Sequence, residues 1–228
     1  MRAEKRQELE SLLEKHRYVS KKEVKPKNRF TRAIKVLLGL EERNFIKIKK
    51  YEFLLTDGTT IVREVLGKHG GTGAAASTLP ISKNDEVVLV VQPRPATEDK
   101  ALLEIPAGYI DNGEEPIDGA LRELVEETGL KAEKEDTLSY RWYYQDTGTS
   151  NAKIHLFIAQ NCVDTFKQHL DKDENISLFR CTVDEMFELY EEGMFKGPSS
   201  NILVPKVKEL VYSRKKWLHE SRNLSRKF

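Results

Sequence analysis

Residues 108–130, GYIDNGEEPIDGALRELVEETGL, contain the signals that set the interpretation of the whole chain. Pro116 suits the first turn of a helix, where its missing N–H has no partner to lose. Gly129 suits the left-handed residue that often ends a helix. The apolar residues between them recur at helical spacing and are Ile117, Ala120, Leu121, Leu124 and Val125. The stretch therefore predicts a helix that begins near Pro116 and ends near Thr128.

Three carboxylates of this predicted helix, Glu123, Glu126 and Glu127, share one face because residues three and four apart are helical neighbours. Like charges at this spacing destabilise a helix by roughly a few tenths of a kcal/mol per pair. Two interpretations remain open from the helix alone. The face is solvated, with Arg122 paired to Glu126, or the carboxylates bind a divalent cation. Mg²⁺ is the first choice because it prefers oxygen ligands.

The spacing across the whole stretch favours the cation. Nine positions match the box of the Nudix hydrolases, Gly-x5-Glu-x7-Arg-Glu-Leu-x-Glu-Glu-x-Gly-Leu, from Gly108 to Leu130. On this ground the chain is identified as a member of that family, whose enzymes use divalent metal to cleave a nucleoside diphosphate linked to another group. The resemblance implies an α/β (or α+β) fold, an α/β/α sandwich around a mixed sheet, with N-terminal antiparallel strands and a helical extension.

The segments on both sides of the box are predicted from their own periodicity. From about residue 44, apolar and polar residues alternate around Asp57-Gly58, which is a strong hairpin signal. Further strands are predicted before and after the box, and helices near both ends of the chain. The predicted organisation is a charged extension (residues 1–43), a hairpin (44–70), the Nudix domain (71–212) and a basic tail (213–228).

The resemblance also assigns roles in metal binding. It implies that Glu123 and Glu127 are the main metal ligands and that Glu126 supports them or binds a further metal. It implies that Arg122 orients the glutamates and that the carbonyl of Ala107 is another ligand. The expected metal is Mg²⁺, with Mn²⁺ as the alternative.

The substrate side of the site follows from neighbouring motifs. LLEIPAGYID resembles the corresponding segment of ADP-ribose and nucleoside diphosphate sugar pyrophosphatases, which places Glu104 and Gly108 at the substrate. VVQPRP resembles a strand end of the same group, so Arg94 is a candidate phosphate contact, with an ordinary surface role as the alternative.

The proton acceptor is expected after the box, in the acidic stretch HLDKDENISLF. Glu174 is the first choice for this general base, and Asp171 and Asp173 are its rivals. An ordinary polar loop is the alternative. A general base has to come within hydrogen-bonding reach of the water that it deprotonates.

Some positions depart from the pattern of enzymes specific for ADP-ribose. Asp146 stands where those enzymes usually carry proline, and Asn151 stands where many carry glutamate. The substrate is therefore expected to be ADP-ribose or a related nucleoside diphosphate sugar, with another nucleotide as the alternative. A non-catalytic, nucleotide-binding regulatory domain is a second alternative, which the intact carboxylates argue against. Residues 142–144 are aromatic and are expected to serve the core or an interface rather than to stack on adenine.

The charge is unevenly distributed, although the net charge is only +1. Residues 1–50 contain 16 Lys/Arg and 7 Asp/Glu, whereas residues 51–205 contain 14 and 28. The basic ends are expected to be solvated helix surface, and a nucleic-acid partner is not expected. No apolar run approaches the roughly 20 residues that span a membrane. Two cysteines without metal-ligand spacing predict a reducing, cytoplasmic setting. The resemblance implies a homodimer in which the N-terminal strands complete the pocket.

Overall fold

The structure is a computed structural model. It describes residues 1–17, 46–68, 73–165, 167–172 and 174–224, with side chains up to residue 211 apart from Lys47 and Lys68. The predicted domain boundary at residue 43 and the rival base Asp173 lie outside the described residues. The predicted boundaries at residues 70 and 212 stay predictions.

The secondary structure follows the order expected from the sequence. The strands are β1 (Ile46–Leu54), β2 (Thr60–Lys68), β3 (Ala75–Ser82), β4 (Glu86–Arg94), β5 (Lys100–Glu104), β6 (Ala107–Tyr109), β7 (Leu130–Lys131), β8 (Thr137–Tyr144), β9 (Lys153–Asp164) and β10 (Ser177–Thr182). The helices are α1 (Ala3–Lys15), α2 (Pro116–Thr128), α3 (Val183–Glu191) and α4 (Pro198–Leu224). Helix α3 begins with a capping box, in which Thr182 and Glu185 satisfy each other's backbone N–H groups.

The large sheet is mixed. Its main path runs β10-β4-β3-β9-β7, with β5 on β4, β6 on β3 and β8 on β9. Strands β3 and β9 are parallel, whereas the other pairs in this sheet are antiparallel. The chain that connects these two parallel strands includes α2, and this crossover connection packs the carboxylate helix against the sheet.

Both faces of this sheet are buried. Along β4, Leu89 packs with α1, α3 and α4, while the neighbouring Val88 packs with Leu124 of α2. Along β9, Leu156 and Phe157 divide in the same way. Because successive side chains of a strand point to opposite faces, helices cover the sheet on both sides. The predicted α/β/α sandwich with a mixed sheet is confirmed.

Helix α1 is part of the core of this domain. Its Leu9 is fully buried among residues of the sheet, α3 and α4. Arg6 forms an ion pair with Glu192, and Lys15 donates to the hydroxyl of Ser177 at 2.9 Å. The described part of the predicted N-terminal extension therefore packs on the domain.

The hairpin predicted around Asp57-Gly58 is present as a separate two-stranded sheet. Strands β1 and β2 pair from Ile46–Lys68 to Leu54–Thr60. The hairpin meets the rest of the protein at Leu66, whose N–H donates to the carbonyl of Thr149 at 2.7 Å. Its apolar side chains are largely exposed, unlike those of the large sheet. Among the described helices, none is both long and apolar enough to cross a membrane.

Candidate active site

Helix α2 carries the carboxylates between two well-defined ends. Pro116 occupies the first turn, and Gly129 ends the helix in the left-handed conformation with φ of 68°. The N–H of Gly129 donates to the carbonyl of Val125 at 2.8 Å. Leu124 is fully buried under the sheet, so the helix is fixed with its polar residues toward β6. The predicted helix and both of its ends are confirmed.

Arg122 is the centre of an ion-pair network at the start of the site. Its guanidinium donates to Glu123 and Glu126 at 2.8 Å each, to both oxygens of Glu114 at 3.1 Å, and to the carbonyl of Tyr109 at 2.7 Å. The hydrogen bonds that Arg122 donates to Glu114 are the main cause of a raised pKa for Arg122. Arg122 thus ties the loop before the helix to two carboxylates of the helix.

The burial of Glu127 rules out the interpretation in which the whole acidic face of α2 is solvated. The Arg122–Glu126 pair that a solvated face requires is present, and Glu126 is partly exposed. Glu127, however, is only 3% exposed, and its carboxylate accepts the N–H of Ala107 at 2.8 Å. Burying a carboxylate is costly unless charge or hydrogen bonds compensate. One face of α2 therefore holds a solvated carboxylate and a buried one.

Gly108 allows Glu123 to lie against the backbone of β6. A methyl group at Gly108 would occupy the space of the Glu123 carboxylate. Any larger residue would therefore displace Glu123 from this position. Gly108, which was expected at the substrate, thus has a steric role of its own, because it leaves room for the Glu123 carboxylate of α2.

The two inner carboxylates have perturbed acidities. Burial raises the pKa of Glu123 to about 7, against the lowering effect of Arg122. Burial, with smaller contributions from the charges of Glu123 and Glu174, raises the pKa of Glu127 to about 8, against the lowering effect of the hydrogen bond from Ala107. Burial and like-charge repulsion both disfavour the ionised form. These carboxylates lie where a cation would be stabilised.

The donor chemistry of the site fits a hard divalent cation. Glu123 and Glu127 provide carboxylate oxygens that lie next to each other with incomplete compensation of their charge. The described residues contain no group of three His, Cys, Asp or Glu side chains already arranged around an ion position. In this arrangement Glu126 pairs with Arg122. The carbonyl of Ala107 as a metal ligand stays a prediction.

Arg94 and Glu104 face each other at the ends of β4 and β5. The Nε of Arg94 donates to Glu104 at 2.8 Å, with the Arg94 side chain 43% exposed and that of Glu104 16% exposed. The charge of Arg94 also lowers the pKa of Glu127, against the larger effect of burial. The structure thus brings a partly exposed guanidinium close to the carboxylate helix, and Arg94 as a phosphate contact stays a prediction.

Glu174 also approaches the carboxylate helix. It lies in a turn with Asp171, in which the N–H of Asp171 donates to the Glu174 carboxylate at 2.9 Å and the N–H of Glu174 donates to the carbonyl of Asp171 at 3.0 Å. The charge of Glu174 raises the pKa values of Glu123 and Glu127. The structure therefore brings together the box carboxylates and the acidic loop from which a general base was expected.

A second contact between this loop and α2 was not predicted from the sequence. Residues 165 and 167–169 are here named the capping segment, and three of them donate to carbonyls at the end of α2. Thr165 donates its N–H and hydroxyl to Gly129 at 2.8 and 2.7 Å, Gln168 Nε2 donates to Glu127 at 2.6 Å, and the His169 N–H donates to Glu126 at 2.8 Å. The available signal was that the last turn of α2 has no basic residue to satisfy its carbonyls.

A hydroxyl network beside the site was also missed. Tyr143 and Ser77 each form a 2.9 Å hydrogen bond with Ser199 at the start of α4. Tyr143 packs against the core, whereas Trp142 and Tyr144 are 46% and 43% exposed and contact each other edge to face. No sequence pattern pairs these residues, because they come from three separate segments.

Comparison with known proteins identifies the family. The sequence pattern of the NUDIX domain matches residues 71–199. The chain is 34% identical over 138 residues to an ADP-ribose pyrophosphatase of Bacillus subtilis, covering 60% of this chain and 71% of the relative. It is 33% identical over 150 residues to a methanol dehydrogenase activator of Bacillus methanolicus, covering 64% of this chain and 76% of the relative.

A solved structure described as an ADP compounds hydrolase has the same fold. It superposes with a TM-score of 0.63 over 76% of this chain and 90% of its own, at 21% sequence identity. The match of the NUDIX domain covers more than half of the chain and includes α2, Arg94, Glu104 and Glu174. The chain therefore belongs to the Nudix hydrolase family.

Proposed function

We propose that this protein hydrolyses the pyrophosphate bond of ADP-ribose or a related nucleoside diphosphate sugar, with Mg²⁺ as the cofactor and Mn²⁺ as an alternative. The products are a nucleoside monophosphate and a sugar phosphate. The observation that carries the proposal is the buried Glu127 carboxylate, held by the Ala107 N–H beside Glu123 and within the field of Glu174. A buried carboxylate cluster without enough positive charge is well suited to a divalent cation.

The choice of substrate rests on a relative and on one ion pair. The relative named ADP-ribose pyrophosphatase shares 34% of aligned residues with this chain. Arg94 carries a partly exposed guanidinium next to the carboxylate helix, and a guanidinium matches the geometry of phosphate oxygens. Glu104 holds this guanidinium in place. We infer that Arg94 binds the diphosphate.

The chain's own residues position the reactants. Glu123 and Glu127 would hold the metal, assisted by Glu126, and Arg122 would keep the glutamates in place. The cation, when bound, neutralises phosphate charge and lowers the pKa of a coordinated water. Glu174 accepts the proton of the attacking water, whose oxygen bonds to one phosphorus while the P–O–P bridge breaks. Positioning and electrostatics supply most of the catalysis in such a reaction.

Product release from a substrate panel tests this function. The panel contains ADP-ribose, GDP-mannose, NADH, a diadenosine polyphosphate and dNTPs, each with Mg²⁺. The control is Glu127→Gln, because the amide oxygen still accepts the Ala107 N–H while the charge is removed. We expect turnover of a nucleoside diphosphate sugar and a loss of more than about 100-fold in the control. No turnover of any compound would refute the proposal.

A regulatory role is the second candidate function, because one relative is named methanol dehydrogenase activator. In this role the protein binds a nucleotide and regulates a partner without hydrolysing the nucleotide. The intact carboxylates Glu123, Glu126 and Glu127 favour turnover over binding alone. Tight binding of a nucleotide without its hydrolysis, in the presence of Mg²⁺, would favour the regulatory role.

A homodimer is the third part of the proposal. A two-stranded hairpin is at best marginally stable alone in water, and this one exposes Ile48 and Leu54 at 65% and 75%. We propose that a second copy of the chain covers these side chains. The two buried free thiols, Cys162 and Cys181, support the proposed cytoplasmic setting.

A further inference from the structure

Glu127 is held by hydrogen bonds at both its side chain and its backbone. Its carboxylate accepts the N–H of Ala107 at 2.8 Å. Its carbonyl accepts Nε2 of Gln168 at 2.6 Å. Gln168 is therefore in direct contact with a residue that we propose to hold the metal, although its side chain lies outside the carboxylate cluster.

The other contacts of the capping segment do not depend on the Gln168 side chain. Thr165 bonds to the carbonyl of Gly129, and the backbone N–H of His169 bonds to that of Glu126. A side chain at Gly129 would meet the backbone of Lys167 at 2.8 Å, so the segment lies closely against the helix end. None of these contacts uses the Gln168 amide, so we expect the protein to fold without it.

Gln168 is also connected to the proposed general base. The chain continues from Gln168 through the turn in which Asp171 and Glu174 bond to each other. The Glu174 carboxylate is held by the N–H of Asp171 rather than by α2 itself. The position of Glu174 relative to the metal ligands thus depends on how the preceding segment is attached to α2.

We propose that Gln168 is a positioning residue that fixes the loop of the general base to the metal-binding helix, through its hydrogen bond to the backbone of Glu127. The proposal rests on the proposed function, in which Glu174 is the base. It adds that the distance between base and metal ligands is set by a side chain that touches neither the water nor the substrate. Small displacements of catalytic groups are costly in rate.

A merely structural role for Gln168 makes a different prediction. If the amide only satisfied a carbonyl at the helix end, its loss would lower stability and leave turnover unchanged. If the amide positions Glu174, its loss lowers kcat, and the loss disappears once Glu174 has been disabled. A double-mutant cycle separates these cases because only groups that act together are non-additive.

The test uses Gln168→Met, which keeps the length of the side chain and removes its donor. The matched control is Gln160→Met, the same change at an exposed position of β9. Both are measured with Mg²⁺ and ADP-ribose, alone and combined with Glu174→Gln. We expect Gln168→Met alone to lower kcat about 10-fold with unchanged KM, and to have no further effect in the Glu174→Gln protein. Gln160→Met is expected to change neither constant.

Hydrogen exchange gives a readout that is independent of turnover. In the metal-free protein, Gln168→Met is expected to speed exchange of the Asp171 and Glu174 amides, while Gln160→Met does not. Unchanged exchange, an unchanged kcat, or an equal loss of kcat in the Glu174→Gln background would overturn the proposal. A fully active Glu174→Gln would refute Glu174 as the base and would overturn the proposal as well. A wild-type protein that turns over no compound of the substrate panel would instead refute the proposed function, and exchange would still decide whether the Gln168 amide holds the loop.

Discussion

The carboxylate helix α2 and the β1–β2 hairpin violate the usual distribution of residues in opposite ways. Helix α2 buries a carboxylate, Glu127, which is 3% exposed. The hairpin exposes large apolar residues, including Ile48 and Leu54. Charged groups are seldom buried without a partner, and large exposed apolar patches mark interaction sites.

The two regions differ in the kind of partner that would relieve each conflict. At α2 the conflict is electrostatic and small in volume, so a single cation can resolve it. At the hairpin the conflict is spread over two strands, so a broad apolar surface is needed. The buried carboxylate of α2 therefore calls for a metal ion, whereas the exposed apolar residues of the hairpin call for a second protein surface.

Removal of the metal is expected to have the largest effect. A chelator should reduce turnover to background, because the carboxylates alone repel the diphosphate, and Mg²⁺ or Mn²⁺ should restore it. The melting temperature should rise on addition of Mg²⁺, since the ion binds only the folded protein. Phosphate release and thermal unfolding measure the two effects. Full activity in the chelator would contradict the electrostatic account of α2.

Gly108→Ala is expected to have the next largest effect. The added methyl group displaces the Glu123 carboxylate from β6. We expect a loss of activity of about 10- to 100-fold. The free energy of unfolding should change little, because the displaced group is the end of a flexible side chain. Gly148→Ala, in an exposed loop where a methyl group is accommodated, is the control for activity and for chemical denaturation.

Charges on the hairpin test the other region. Ile48→Lys combined with Leu54→Lys should dissociate the proposed dimer, because the desolvated charges oppose burial. Light scattering after size-exclusion chromatography measures the mass. Asn84→Lys combined with Gln160→Lys adds the same charge at exposed positions of the body and should leave the dimer intact. A wild-type protein that runs as a monomer would show that the hairpin has another partner.

Tyr143→Phe is expected to have the smallest effect. Strand β8 contains a tyrosine that is hydrogen-bonded to Ser199, Tyr143, and a neighbouring tyrosine that is exposed, Tyr144. Loss of the Tyr143 hydroxyl should lower the free energy of unfolding by about 1 kcal/mol. Urea denaturation measures this loss, with Tyr144→Phe as the control. A large drop in turnover, with the free energy of unfolding lowered by no more than expected, would show that Tyr143 touches substrate.

The sequence predicted those features that local periodicity determines. Pro116 and Gly129 marked the ends of α2, and Asp57-Gly58 marked the hairpin, because each reflects a backbone preference of one or two residues. The spacing of the glutamates predicted the family. Their separation into a buried Glu127 and a partly exposed Glu126 was not predicted, since it depends on where β6 lies.

Contacts between distant segments could not be read from the sequence. The docking of α1 through Leu9, the capping segment and the network around Ser199 all join residues that are far apart in the chain. Such contacts follow from strand register and loop length, which single-residue preferences do not encode. Glu174 was placed near the box only through the family resemblance.

The pairing of β3 with β9 also bears on how the protein is synthesised. Ala75 pairs with Ile154, and Glu86 of the neighbouring strand pairs with Thr182. Pairing of such distant segments slows folding, because a long loop has to close before any contact forms. A chain emerging from the ribosome can pair β4 with β3 and β5 early, but the pairing of β4 with β10 has to wait until β10 has been translated. Chaperones therefore have an extended opportunity to bind this strand before that pairing forms.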